Sequence, residues 1–257
     1  MTQIDVNQYN QWLTTNSIPK NKFAGGSPAT ILYVADRRNL NNNKQSVVRL
    51  VNGSRLPLNT VGGINLGFTV ATQNPIYIWG NYNTTINSNT YATTLGSTTN
   101  GASVPAAVLA DAVTLLSPSW TDANSTASEP SRQVNADMTF NAALVVGNIP
   151  TTGTDAHTFS GGVHNVTRFL EDWASNNRTL TLNTSIVVLY SSTIATNQFI
   201  MPYSSSETDG YYNPPTRNWG FDQTYYSPNK QPPGVPCALV PIRYNWTKPA
   251  PNSVASN

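Results

Sequence analysis

The densest run of ionisable side chains lies between Asp155 and Asp172 and contains His157, His164, Arg168, Glu171 and Asp172. Acid–base catalysis needs groups of matched pKa within hydrogen-bond reach, so His164 beside a carboxylate would be the general base of a hydrolase. A plainer account covers the same residues and is preferred. Arg168 stands three residues before Glu171 and four before Asp172, the spacing of an ordinary helix-surface ion pair. His164 precedes that helix and can bond its backbone. The chain holds nine Asp and three Glu, with no Asp-Asp or Asp-x-Asp string, so the paired carboxylates of a glycan-cleaving enzyme are not visible. Ser160-Gly161-Gly162 and Gly25-Gly26-Ser27 lack the spacing of a nucleophile elbow or a phosphate loop and read as turns.

Metal, thiol and cofactor chemistry are not expected. One cysteine, Cys237, cannot form an internal bridge, and two separated histidines leave little for a zinc or copper site. The net charge of +2 comes with no basic run longer than Arg37-Arg38, which excludes nucleic-acid partners. No window is apolar enough to span a bilayer, so no direct membrane span is expected. A binding role has one candidate surface. The stretch 199–246 carries ten of the 25 aromatic residues, and Tyr211, Tyr212, Trp219, Tyr225 and Tyr226 could stack on sugar rings. The alternative is that these rings anchor a proline-rich strap to the body of the protein, and this is preferred.

The elements that would position these groups are β-rich. Charged residues are only 10% of the chain, while 32 Asn and 32 Thr make up a quarter of its 257 residues, the chemistry of turns and strands. Residues 5–15 read as a helix, with Asp5 as N-cap and Val6, Tyr9 and Leu13 on one face. Apolar runs follow at 30–35, 46–51, 68–71, 75–79, 106–116, 139–146 and 179–190, separated by Asn, Gly, Ser and Pro. Asp111, Asn141 and Asn183 each open such a run after the same fashion, a polar residue followed by a small one and then aliphatics.

Stacked, these units form a parallel β-helix, or β-solenoid, whose irregular repeat sends insertions out between rungs. The expected fold is therefore all-β with two short helices, and a jelly-roll sandwich is the alternative. Residues 1–28 form the N-terminal helix and linker, placed to cap one end. Residues 29–198 form the solenoid, interrupted by a helix at 165–175 in which Val166, Phe169, Leu170 and Trp173 share one face. Residues 199–247 form the wrapping segment and 248–257 a disordered tail.

Several strings resemble a family. Residues 47–53 and 66–83, Gly161-Gly162-Val163-His164-Asn165, the segment 168–173 and the segment 211–219 are similar to the C-terminal region of bacterial pilus-assembly PilX-type proteins. The similarity runs from about Ile31 to Trp246. Members carry an upstream pilin-like apolar helix, which this chain lacks, and no catalytic residues transfer from them. The resemblance implies an envelope or surface protein. The Lys-poor, Asn/Thr-rich composition also looks extracytoplasmic, with an export segment trimmed away. The expected function is a non-enzymatic, cell-surface or filament-associated structural or adhesive protein, with itself, an envelope partner or a glycan as partner. A carbohydrate-active protein, either a glycan-binding module or a β-helix polysaccharide-cleaving enzyme, is the alternative.

Overall fold

A computed structural model describes residues 1–15, 29–38, 44–86, 89–90, 103–151, 166–197 and 211–235. The chain winds into a parallel β-solenoid. The first turn holds β1 (Thr2–Asp5), the helix α1 (Val6–Thr15) and β2 (Ile31–Val34). The second holds β3 (Val48–Val51), a small hairpin of β4 (Thr60–Val61) and β5 (Ile64–Asn65), and β6 (Phe68–Thr72). The third holds β7 (Ile76–Trp79), a second hairpin of β8 (Thr85–Ile86) and β9 (Asn89–Thr90), and β10 (Ala106–Ala110). Then come β11 (Val113–Leu116), β12 (Met138–Asn141) and β13 (Ala143–Asn148), followed by β14 (Thr167–Arg168), β15 (Thr179–Thr184) and β16 (Ile186–Ser191), and finally β17 (Thr216–Phe221).

These strands stack into three walls. The first sheet runs β1-β3-β7-β11-β14, the second β16-β13-β10-β6-β2 and the third β12-β15-β17, and every neighbouring pair in them is parallel. Tyr82 adds a bridge to Phe140 at the edge of the third sheet. A jelly roll needs antiparallel neighbours. Here the antiparallel pairs among the described residues are the two hairpins, which leave the coil as insertions.

Period-2 alternation fills the interior. Val48, Ile76, Val113 and Thr167 lie in register and are completely buried, as are Leu50, Ile78 and Leu115 one step on. Phe68, Val70, Val108 and Leu144 line the second wall, and Phe140, Leu180 and Leu182 the third. The Tyr82 and Phe140 rings stack at 5.4 Å. Asp5 accepts from the Gln8 N–H at 2.9 Å and caps α1. The helix then buries Val6 and Asn10, and its Tyr9 ring packs 5.9 Å from Phe68. At the other extreme Trp219, in register with Leu182, packs on the core with Arg217 stacked 5.2 Å over its ring.

The corners explain the Asn motif. Asn141 and Asn183 are paired in register and buried, and the Asn183 amide donates to Asn141 Oδ1 at 2.8 Å. One turn earlier Asn83, in the left-handed region at φ 56°, donates to the carbonyls of Val104 and Asn141, both at 2.8 Å. Asn141 returns a bond to the Asn83 carbonyl at 3.0 Å. A side-chain amide can satisfy the turn above and the turn below at once, so it closes the backbone account where the strand bends. Asp111 belongs to a different corner, where the second sheet passes to the first. Its carboxylate takes the N–H groups of Thr193 (2.5 Å) and Ala195 (2.7 Å).

Two expectations are corrected. The helix at 165–175 is absent from residues 166–175, which instead form β14, an irregular bend and an isolated bridge at Asp172. Val166, Phe169 and Trp173 are buried as expected, and Leu170 packs partly on the core, but a bent strand reaches the interior at those spacings as well as a helix does. What decides is the pairing available from β11, whose Val113 and Thr114 face Thr167 and Arg168. The second correction concerns the wrapping segment. Residues 216–221 are a full rung, β17, because Pro214 and Pro215 stand before the strand and leave its ladder donors intact. Beyond it the chain does wrap. Tyr225 donates to the Ala106 carbonyl at 3.0 Å and the Pro233 carbonyl accepts from Thr69 at 2.7 Å, so the strap lies across the second sheet. Residues 16–28, His157, His164, Cys237 and the tail at 248–257 lie outside the described residues.

Candidate functional site

The five aromatic candidates do not form one surface. Tyr212 is 1% exposed, with its ring 5.3 Å from Phe169, and Trp219 closes the last turn. The Tyr225 hydroxyl is tied to Ala106, and burial raises its pKa well above that of a free phenol. Tyr211 and Tyr226 are exposed, the latter beside Phe221 at 5.0 Å. Three of the five thus anchor the chain and two reach solvent.

The expected ion pair on a helix surface is replaced by three separate engagements. Arg168 donates to the Ala195 carbonyl at 2.9 Å; burial lowers its pKa, and the nearby Asp111 opposes that shift. Glu171 is 2% exposed and receives the Ser117 N–H at 2.7 Å and the Ser117 hydroxyl at 2.6 Å. Burial pushes its pKa up, against the Ser117 bonds and the charge of Arg132. Asp172 is equally buried and caps the turn at Ser175 at 3.1 Å. Glu129 comes from a distant loop to the same neighbourhood, where burial and the charge of Asp172 both raise its pKa. These carboxylates were invisible as a group in the sequence because the parallel register, with Gln133 opposite Asp172, brings them together. Among the described residues, no group of three or more His, Cys, Asp or Glu is placed to hold a metal ion, and no helix is long and apolar enough to cross a membrane.

A cleft opens on the outside of the corner where the first sheet passes to the third. It holds about 530 Å³ and is lined by Gln3, Asn52, Ser54, Trp79, Asn81 and Pro118. Its backbone follows from two equivalent residues. Val51 and Trp79 pair in register, and the residues after them, Asn52 (φ 55°) and Gly80 (φ 80°), both adopt the left-handed conformation that turns the strand outward. Trp79 is an outward position of β7, and the buried Arg49 holds its guanidinium 4.9 Å over the ring. Arg49 is itself fixed by Gln3 Oε1 at 2.9 Å from Nε and by Asp122 at 2.7 Å. Arg49 in turn holds the Asp122 carboxyl below the usual aspartate range, with help from the Trp120 indole. The sequence signal was the alternation Ile76-Tyr77-Ile78-Trp79, which puts two aromatic rings on an outer face.

A second cleft, of about 450 Å³, lies at the corner between the second and first sheets and is cationic, lined by Arg37, Arg38, Lys44 and Asp36. Arg38 pairs with Asp36 there and holds its carboxyl well below the usual range. Comparison with protein-family models, curated proteins and solved structures finds no match for this chain.

Proposed function

We propose that this chain is a non-catalytic structural or adhesive module of the bacterial cell surface, associated with a filament as the PilX-type resemblance implies. The observation that carries this reading is β16. It lies at the edge of the second sheet and turns Val188, Leu189 and Tyr190 to solvent, 44%, 58% and 44% exposed. An exposed apolar edge strand is a contact surface, which natural β proteins otherwise blunt with charge. The burial of Glu171 and Asp172 and the engagement of Asp111 add support, since these acids act as corner fastenings.

Light scattering over a concentration series tests the reading, together with retention on bacterial cells and a polysaccharide-cleavage screen. Association or retention that weakens in Leu189→Lys, with no cleavage, is expected. Robust cleavage that disappears in Glu171→Gln would overturn the reading in favour of an enzyme.

A further inference from the structure

We infer that the cleft around Trp79 is a binding subsite for a neutral saccharide, an assignment that rests on the adhesive reading above and names its ligand class. Three observations converge. The first is size, since about 530 Å³ lies inside the range of roughly 300–1,000 Å³ typical of small-ligand clefts. The second is lining. Every side chain lining the cleft is uncharged, and a half-buried indole, with the Asp122-paired Arg49 guanidinium over its ring, stands among amides and a hydroxyl. A sugar ring presents an apolar C–H face and a rim of hydroxyl groups, so an aromatic surface beside amides matches it. Charged sugars find their complement instead in the cationic cleft at the other corner.

The third observation is the way the amides are held. Asn52 donates through Nδ2 to Asp5 at 2.7 Å, which leaves its Oδ1 as an acceptor. Asn81 accepts the Thr139 N–H on Oδ1 at 2.8 Å, which leaves its Nδ2 as a donor. Gln3 takes Arg49 on Oε1 at 2.9 Å, which leaves its Nε2 as a donor. In each case one end of the amide is locked by the protein and the other has no protein partner among the described residues. The lock fixes the orientation of the amide, so two donors and one acceptor stand ready without an ordering cost on binding. Surface amides with no such lock would rotate.

The test is titration calorimetry of the whole chain with neutral tetrasaccharides of glucose, mannose and N-acetylglucosamine, and with a tetragalacturonate as the charged probe. At least one neutral probe should bind, and tetragalacturonate should bind more weakly through this site. Trp79→Ala should weaken binding about tenfold or more. Because that variant also removes the surface under Arg49, Asn52→Gly provides a second test that keeps the left-handed turn. It should weaken binding about three- to tenfold, the worth of one hydrogen bond. If no neutral probe binds, or if both variants bind like the parent, the assignment is overturned. If the parent chain adheres to cells and both variants adhere equally, the cleft assignment fails while the adhesive reading stands. If the parent binds a neutral probe through Trp79 but is never retained on cells, the adhesive reading fails and the cleft assignment stands.

Discussion

At the corner between the third and second sheets, Asn83, Asn141 and Asn183 are buried, and their amides are taken up by the neighbouring turns. At the corner between the first and third sheets, Asn52 and Asn81 are exposed, and among the described residues each has one end of its amide engaged. Residue type is the same in both places, and both corners include an Asn in the left-handed conformation. The difference lies in how much hydrogen-bonding capacity the stack itself absorbs. On the inner column the neighbouring turns take up the amide N–H groups, although the buried Asn83 Oδ1 has no partner among the described residues. On the outer one the side chains lean away from the stack and half their capacity remains.

The largest effect falls on the packed core one turn beyond the open corner. Trp173 is fully buried on the turn that follows Glu171, with Phe169 edge-on at 5.9 Å. Trp173→Ala should cost about 3–5 kcal/mol in urea unfolding, the cost of emptying a large core site. A loss below about 1 kcal/mol would show that this face of the last turns is not packed core. Next comes Asn141→Ala, which removes a buried partner from the Asn83 carbonyl and from the Asn183 amide. About 2–4 kcal/mol should be lost, because buried polar groups that lose a partner carry a desolvation cost.

A smaller, pH-dependent effect divides the outer corner from its Arg-paired surroundings. Burial raises the folded-state pKa of Glu171, and of Glu129 with Asp172 assisting, so the folded chain holds protons that the unfolded chain releases. Their contribution is complete below the ordinary glutamate value and is lost as pH rises through the raised folded values. Asp122, held low by Arg49, runs the other way. Its contribution is present above the ordinary aspartate value and is lost as pH falls through the depressed one. Glu171→Gln should therefore flatten the decline on the rising side and leave the acid-side loss in place, as read from urea midpoints across pH. An unchanged profile would remove Glu171 from the account. The smallest change is Asn52→Gly, expected within about 0.5 kcal/mol of the parent in the same unfolding assay. A cost like that of Asn141→Ala would erase the distinction between the two corners.

Much of the stack could be read from the chain. Each long apolar run at 106–116, 139–146 and 179–190 proved to be two strands hinged at a corner, and Asn141 and Asn183 marked equivalent corners as expected. Asp111 shared their local pattern and yet marks another corner, because a polar residue before a small one signals a bend without saying which wall follows. At 166–173 the spacing of Val166, Phe169 and Trp173 fits both a helix and a bent strand, and only the partner strand β11 separates them. The cleft was hidden for a different reason. Gln3, Asn52, Trp79 and Pro118 come from four successive turns, and the insertions make the length of each turn unequal. No local motif could have joined them.

The strap that crosses the second sheet also sets how the molecule answers force. A bare solenoid is a row of turns held by nearest neighbours, and tension at its C-terminal end would peel it rung by rung. Here the chain beyond β17 runs back across Ala106 and Thr69, and Gly234 lies so close to Ile31 of β2 that an added Cβ would stand 2.8 Å from its side chain. A pull applied after Val235 therefore enters the coil near its second turn and must shear the strap along the sheet before the last rung feels it. Shear loads many contacts together where peeling loads one at a time, so a load carried by the strap is expected to be shared along the second sheet and not borne by the last rung alone.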